Sequence, residues 1–250
     1  MHRCLISTEQ IRAGQIVLGR DEARHLQTVL RIQPRDVVEL FDGHGARRRA
    51  EVVEATRHGI TFHPLEEVLL KPRPPARITL YACISKGKRM DWTIEKAVEL
   101  GVSAVVPVIS AHTIVRIDPR EYASKRERWQ RVADEAMRQC SSSWRCEIAD
   151  PIPFKALLPT LTPGQNIYVA ALCPGVRTLY EVLSEKGERI DRAGWFVGPE
   201  GDFQADELEA LLAAGSIPVS LGPLILRAET ACLYGLSVLN CFFLGRTSSC

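Results

Sequence analysis

The residues best suited to chemistry lie where glycines follow short apolar runs in the last third of this 250-residue chain. Gly198-Pro199-Glu200-Gly201-Asp202-Phe203 comes directly after Trp195-Phe196-Val197. Glycines there let backbone N–H and C=O groups approach a ligand closely, at the strand edge where α/β sheets bind. A plain tight turn before a helix would show the same spacing. Leu221-Gly222-Pro223-Leu224-Ile225-Leu226-Arg227-Ala228-Glu229-Thr230-Ala231 leaves a second apolar run and carries Arg, Glu and Thr into the first turn of a helix. An arginine at that end opposes the helix dipole, which hints at a task other than stability; a surface pair with Glu229 is the plainer reading. In a third stretch, Ser85-Lys86-Gly87-Lys88-Arg89-Met90-Asp91-Trp92, the cations stop where Asp91 is placed to cap a helix.

Other chemistries lose their usual support. No GxGxxG opens a helix, and GxxxxGK[ST], HExxH and GxSxG are all missing. Nicotinamide, nucleoside-triphosphate, zinc-protease and esterase readings go with them. The eight cysteines form no CxxC and have no histidine at metal-ligand spacing. Cys83, Cys232 and Cys241 sit in apolar runs as small buried hydrophobes. Free thiols in a reducing cytoplasm are expected, with neither disulfides nor a metal. The opening Met1-His2-Arg3-Cys4 lacks the apolar stretch of a secretory signal, and the chain has no run of about 18 apolar residues, so no membrane span is expected.

The elements that must position these residues have two textures, separated by Lys71-Pro72-Arg73-Pro74-Pro75, whose prolines stiffen the chain. Residues 1–70 read as a small β-barrel-like module. Its short β-like runs are Val37–Phe41, Arg49–Val53 and Ile60–Phe62, with Asp42-Gly43-His44-Gly45 as a turn. One short helix, about 21–30, interrupts them, with Asp21 as a possible cap and Leu26, Val29 and Leu30 on one face. After a linker at 71–76, residues 77–250 alternate strand and helix. Apolar runs at 78–84, 104–108, 167–171, 195–197 and 218–221 suit strands covered on both faces. Helical stretches at 91–100, 121–140, 178–186 and 205–214 lie between them, with glycine stops at Gly101 and Gly215.

The alternation predicts an α/β domain with a mainly parallel sheet. In the long helix Trp129, Val132, Ala133, Ala136, Met137 and Cys140 make an apolar stripe, leaving Asp134 among the polar faces. The closing helix, roughly 228–244, is apolar nearly all round and should be buried in this domain or against a partner chain.

Charge is uneven along this frame. The formal net charge is only +2. Residues 71–146 carry fifteen Lys/Arg against eight Asp/Glu, whereas residues 147–250 carry seven against twelve and residues 1–70 balance. Lys71, Arg73, Arg77, Lys86, Lys88 and Arg89 come with no acid between them. Such a cluster could contact phosphates; a solvated face explains it equally well.

Taken together, the Lys86–Arg89 stretch, Gly198-Pro199-Glu200-Gly201 and Leu221–Ala231 resemble the RsmE type of SPOUT methyltransferases. His25-Leu26-Gln27-Thr28-Val29-Leu30-Arg31 and Phe41-Asp42-Gly43 resemble that family's PUA-like RNA-binding barrel. The resemblance implies an α/β SPOUT domain with a carboxyl-terminal trefoil knot, behind a PUA-like barrel. It implies S-adenosylmethionine as cofactor and methylation of N3 of a uridine in 16S ribosomal RNA of the small ribosomal subunit. It also implies a homodimer acting in the cytoplasm, free of metal and membrane.

By the resemblance, the cofactor residues are Leu172, Cys173, Gly198, Pro199, Glu200, Gly201, Leu221, Gly222, Ile225, Leu226 and Thr230. Arg227 is the candidate cation for the developing base anion, and Glu229 or Glu200 the candidate base. RNA contact falls to Arg24, His25, Arg31, Lys86, Lys88 and Arg89. The chain departs from the pattern at Asp202, at Leu224 and at Ser141-Ser142-Ser143, where Arg138 or Arg145 would replace a family arginine. A non-catalytic ribosome-assembly factor, or a SPOUT methyltransferase with another RNA target, is the alternative.

Overall fold

The computed structural model describes residues 1–28, 31–74, 76–161, 164–173, 175–186 and 190–247, without the side chains of Asp21, Glu22, His25, Arg246 and Thr247. The chain divides into two compact units: Met1–Arg73 with Met137–Arg145, and Pro74–Ala136 with Cys146–Cys250.

The first unit holds β1 (His2–Leu5), α1 (Thr8–Arg12), β2 (Ile16–Gly19), α2 (Arg20–Thr28), β3 (Val37–Phe41), β4 (Ala46–Thr56), β5 (Gly59–Pro64) and β6 (Leu69–Leu70). Its six strands run in the order β1-β3-β4-β5-β2, with β6 on β4. Among the described residues only the β1–β3 pair of this sheet is parallel. Alternating residues such as Val38, Leu40, Ala50, Val52, Ile60 and Phe62 fill its core. Helix α2 begins at Arg20, so Asp21 lies inside it rather than at its cap, and the expected face at Val29 and Leu30 falls outside the described residues.

The Asp42–Gly45 turn forms as expected. Asp42 Oδ1 accepts from the N–H groups of His44 and Ala46 at 2.8 and 3.0 Å. A side chain at Gly45 would meet the Trp144 ring 2.6 Å away, because Ser141–Arg145 folds onto this turn. The Gly45 N–H donates to Ser143 O and the Arg145 N–H to Gly43 O. Buried Arg3 pairs with Glu39 at 2.6 Å and donates to the carbonyls of Met137 and Ser142. The proline signal at 71–76 could not reveal that this later segment belongs with the first unit.

The second unit contains β7 (Arg77–Cys83), α3 (Arg89–Glu99), β8 (Ala104–Ile109), α4 (Tyr122–Gln139, its end in the first unit), β9 (Glu147–Ile148) and β10 (Ile152–Pro153). It continues through α5 (Phe154–Leu157), β11 (Ile167–Ala170), α6 (Leu179–Glu185), β12 (Arg192–Val197), α7 (Ala205–Ala213), β13 (Ile217–Val219) and α8 (Ala228–Thr247). Seven strands form one sheet, β10-β8-β7-β12-β11-β13 with β9 on β8, and every pairing is parallel. Strand alternation sends Phe196 into a cluster with Phe154, Phe203 and Val169 on one face. Trp195 goes to the other face, where its Nε1 donates to Ala231 O of α8 at 3.2 Å.

Three expectations are corrected. Asp91 does not cap α3: the helix starts at Arg89 behind Lys88, which makes no side-chain cap, and Asp91 binds Arg128 instead. Asp134 is buried rather than on a polar face, because Gln130 satisfies it with a hydrogen bond of 2.8 Å. Cys241 is exposed, not buried, because α8 buries only one face through Ala231, Cys232, Leu236, Leu239 and Phe243. Its stretch Ala228–Gly245 is long and apolar enough to cross a membrane by composition, yet this face packs on the unit's own sheet.

Candidate cofactor pocket and nucleic-acid interface

Three loops leave the carboxyl ends of the adjacent strands β12, β11 and β13, where parallel sheets place their ligands. Ala170–Cys173, Val197–Glu200 with Asp202, and Val219–Gly222 with Leu224–Ala228 enclose one cavity of about 480 Å³. The loops are tied by main-chain bonds: Ala171 N–H to Val219 O at 3.1 Å, Ser220 N–H to Arg177 O at 2.9 Å, and Leu179 N–H to Ser220 O at 3.2 Å. Gly222 takes φ +110°, open to glycine because it has no Cβ. Gly198 packs closely for a different reason, since a Cβ there would lie 3.1 Å from the Phe203 ring, which would have to shift by a few tenths of an ångström.

The walls are apolar. Leu172, Leu224 and Ile225 expose large side chains at the cavity, and Leu221 and Leu226 line it half-buried. Among the described lining residues the charged ones are Glu200, Asp202 and Arg227. Asp202 sits at φ +61°, the left-handed region that aspartate tolerates better than most residues. Its Oδ1 accepts from the Phe203 N–H at 2.8 Å. Outside this loop stands His112, whose Nδ1 lies 3.2 and 3.0 Å from the carbonyl oxygens of Gly201 and Asp202. Two acceptors require a proton on that nitrogen. Buried Glu207 secures the flanking backbone, accepting from the N–H groups of Ala111 at 2.9 Å and Gln204 at 3.1 Å.

A second cleft, of about 420 Å³, is lined by Lys88, Arg89, Trp92, Arg227, Glu229 and Thr230. Arg227 thus borders both spaces and makes no side-chain hydrogen bond or ion pair among the described residues; the surface pair with Glu229 does not form. One oxygen of Glu229 is buried without a hydrogen-bond partner. Glu200 is paired, its Oε1 lying 3.4 Å from Arg89 Nη1. Burial pushes the Cys83 thiol up to about 12 and that of Cys232 upward as well, which keeps both unreactive. Among the described residues no three His, Cys, Asp or Glu side chains converge as a metal site.

Of the residues expected at the cofactor, Leu172, Cys173, Gly198, Pro199, Glu200, Leu221, Gly222, Ile225 and Leu226 meet in the first cavity. Gly201 stands behind it against His112, and Thr230 faces the second cleft. Lys86, Lys88 and Arg89 are exposed on the turn into α3. Arg24 and Arg31 are exposed in the first unit, while the side chain of His25 lies outside the described residues. Arg138 is half-buried and Arg145 exposed, both within the first unit. His112 carries no local signal, being about ninety residues from the loop it holds. Trp92 ends the cation-bearing stretch Ser85–Trp92, but only folding shows that its ring is left out of the core.

A glycine-lined pocket at the carboxyl ends of a parallel sheet, in a chain whose amino-terminal unit is β-rich, is the frame of an α/β protein with a small-ligand site. The family model for the RNA methyltransferase domain matches residues 72–240, and that for the RNA methyltransferase PUA domain matches residues 18–65. The chain is 33% identical to ribosomal RNA small subunit methyltransferase E of Mycobacterium bovis, over 90% of this chain and 85% of that protein. With the protein of the same name from Synechocystis it shares 31% identity, over 96% of this chain and 77% of the relative. A crystal structure of the Neisseria gonorrhoeae enzyme, bound to S-adenosyl methionine, superposes with a TM-score of 0.84 at 29% identity, covering 96% of each chain. The chain belongs to the family of ribosomal RNA small subunit methyltransferase E, with its SPOUT and PUA-like architecture.

Proposed function

We propose that this protein methylates N3 of a uridine in 16S ribosomal RNA, using S-adenosylmethionine bound in the cavity between the β11, β12 and β13 loops. The observation that carries this reading is Arg227, unpaired and shared by that cavity and the cation-lined cleft beside it. The cavity suits the cofactor: its size lies in the usual range for small ligands, its walls are apolar, and its two carboxylates suit a positively charged sulfonium. Backbone groups around Leu172, Gly198 and Gly222 would read the adenine, with Leu172, Leu221 and Leu226 as walls. The trefoil threading implied by the resemblance falls on these loops.

When bound, S-adenosylmethionine supplies a methyl group already activated on sulfur. The protein's task is then alignment and charge. A uracil N3 lone pair becomes available only when its proton leaves. Arg227 stabilises the anion that develops over the adjacent carbonyl oxygens, and Glu229, which lines the same cleft, accepts the proton. Glu200 positions rather than reacts, tying the glycine loop to Arg89. Lys86, Lys88 and Arg89, with Arg24, His25, Arg31, Arg138 and Arg145, supply RNA contacts.

The protein works as a homodimer in the cytoplasm, without a membrane or a metal. The half of α8 turned from its own sheet supports the dimer: Tyr234 is 48% and Leu244 53% exposed, with Cys241 between them.

Calorimetry with S-adenosylmethionine and nucleoside mapping of small-subunit RNA from deletion and rescued cells test the reading. We expect binding, and loss of one N3-methyluridine that the gene restores. Absence of cofactor binding at millimolar concentration would point to a non-catalytic assembly factor, and an unchanged RNA position to a different target. Arg227→Ala should lower kcat at least ten-fold while changing cofactor affinity less than two-fold, as expected of a group acting mainly in the transition state.

A further inference from the structure

Helix α3 is amphipathic, burying Met90, Thr93, Ile94, Ala97 and Val98 against the second unit. Trp92 lies off that face and remains 44% exposed. Among the described residues its ring makes no aromatic or cation–π contact and its Nε1 no hydrogen bond. An indole is the largest apolar side chain a protein has, and leaving one unused at the surface forgoes its burial energy. Here it lines a cleft with Lys88, Arg89 and Arg227. Lys88 and Arg227 have no acidic partner among the described residues, and Arg89 has only the long contact to Glu200. An exposed aromatic face bordered by free cations is the combination that holds single-stranded nucleic acid: bases stack on the ring while phosphates meet the charges.

We propose that Trp92 is the platform on which an unpaired base of the substrate RNA stacks, with Lys88 and Arg89 on the flanking phosphates. The inference rests on the RNA-methylating reading above and adds to it a residue that positions the substrate. The target base must be out of a duplex to be reached, and Arg227, common to both spaces, joins the stacked strand to the cofactor cavity. Trp92 is a positioning residue; it takes no part in the transfer of the methyl group or the proton.

The experiment uses the full-length protein and a labelled single-stranded fragment of small-subunit RNA containing the target uridine. Trp92→Ala and Trp92→Leu should weaken RNA binding by roughly ten-fold, the usual worth of one stacked base. Trp92→Phe should recover most of the affinity. Cofactor affinity should stay within two-fold in all three variants, and the loss should fall on KM for RNA rather than on kcat at saturation. In a Trp144→Phe background RNA should also quench the remaining tryptophan fluorescence, and adding Trp92→Phe should remove most of that quenching, since the other two tryptophans, Trp129 and Trp195, are buried.

Wild-type RNA affinity in Trp92→Ala overturns the platform and leaves the enzyme reading intact, provided the wild type methylates. Full affinity in Trp92→Leu together with a loss in Trp92→Ala would also overturn it, because leucine keeps apolar bulk but cannot stack. If size-exclusion chromatography shows Trp92→Ala dissociating while Trp92→Leu remains assembled and binds RNA, the residue belongs to an interface between copies. A wild type that binds cofactor but methylates no RNA would instead remove the functional reading.

Discussion

At the scale of single residues, the proposed cofactor loop is held by a histidine that does not line the cavity. His112 Nδ1 reaches two successive carbonyls, of Gly201 and Asp202, next to a backbone in the left-handed region. Removing that donor leaves both acceptors to solvent and frees the loop that carries Glu200. His112→Ala should therefore raise the dissociation constant for S-adenosylmethionine about five- to ten-fold, in line with the loss of one or two hydrogen bonds. His112→Asn, whose amide N–H can occupy the place of Nδ1–H, should restore most of the affinity. Calorimetry on the two variants checks this, and equal loss in both would show that the ring's bulk matters rather than its proton. Asp202 illustrates the same local logic, since its own side chain caps the turn it strains by accepting from Phe203 N–H.

At the scale of elements, α8 delivers Arg227 and Glu229 to the site, and its placement depends on contact with β12. Gly235 lies against Trp195 so closely that an added Cβ would be 2.1 Å from the indole, while Trp195 Nε1 holds Ala231 O. Gly235→Ala must displace the helix or the ring, and overpacking of this kind costs about 1–3 kcal/mol. Urea unfolding should show that loss, and turnover should fall with it because the first turn of α8 moves. An unchanged unfolding midpoint would mean that the contact has slack.

Strands and helices of the second unit were largely legible before folding. Short apolar runs and glycine stops located β7, β8, β11, β13 and α3 to within a few residues. The two-residue strands β9 and β10 were not, for so short a segment has no periodicity to read. In the first unit β1 and β2 are not legible, because four residues are too few to show a period and β1 carries the polar Arg3 at a buried position.

At the scale of the whole molecule, what matters is surface that the fold leaves uncovered. The outward stripe of α8 carries Tyr234, Cys241 and Leu244 around one exposed serine, Ser237, and replacing Tyr234 and Leu244 together by glutamate should convert the proposed dimer to monomer in light scattering. Methyltransferase activity should fall with the dimer, as expected if the site needs both copies. A double variant that remains dimeric would place the interface elsewhere. Within the first unit, the buried Arg3–Glu39 pair adds a side-chain tie to the backbone bonds of Ser141–Arg145, since Arg3 also holds the Met137 and Ser142 carbonyls.

By itself, the sequence determined the α/β alternation, the glycine loops at strand ends and the excess of cations between residues 71 and 146, because each is carried by neighbours along the chain. Tertiary structure alone decided that Asp91 serves Arg128 rather than its helix, that Glu200 pairs with Arg89, and that His112 supports the loop at 201–202. It likewise decided that Trp92 faces solvent beside Arg227. The physical reason is common to all four. Their partners lie across sheet crossovers, and a side chain's choice among several acceptable partners is settled only by which of them packing brings within reach.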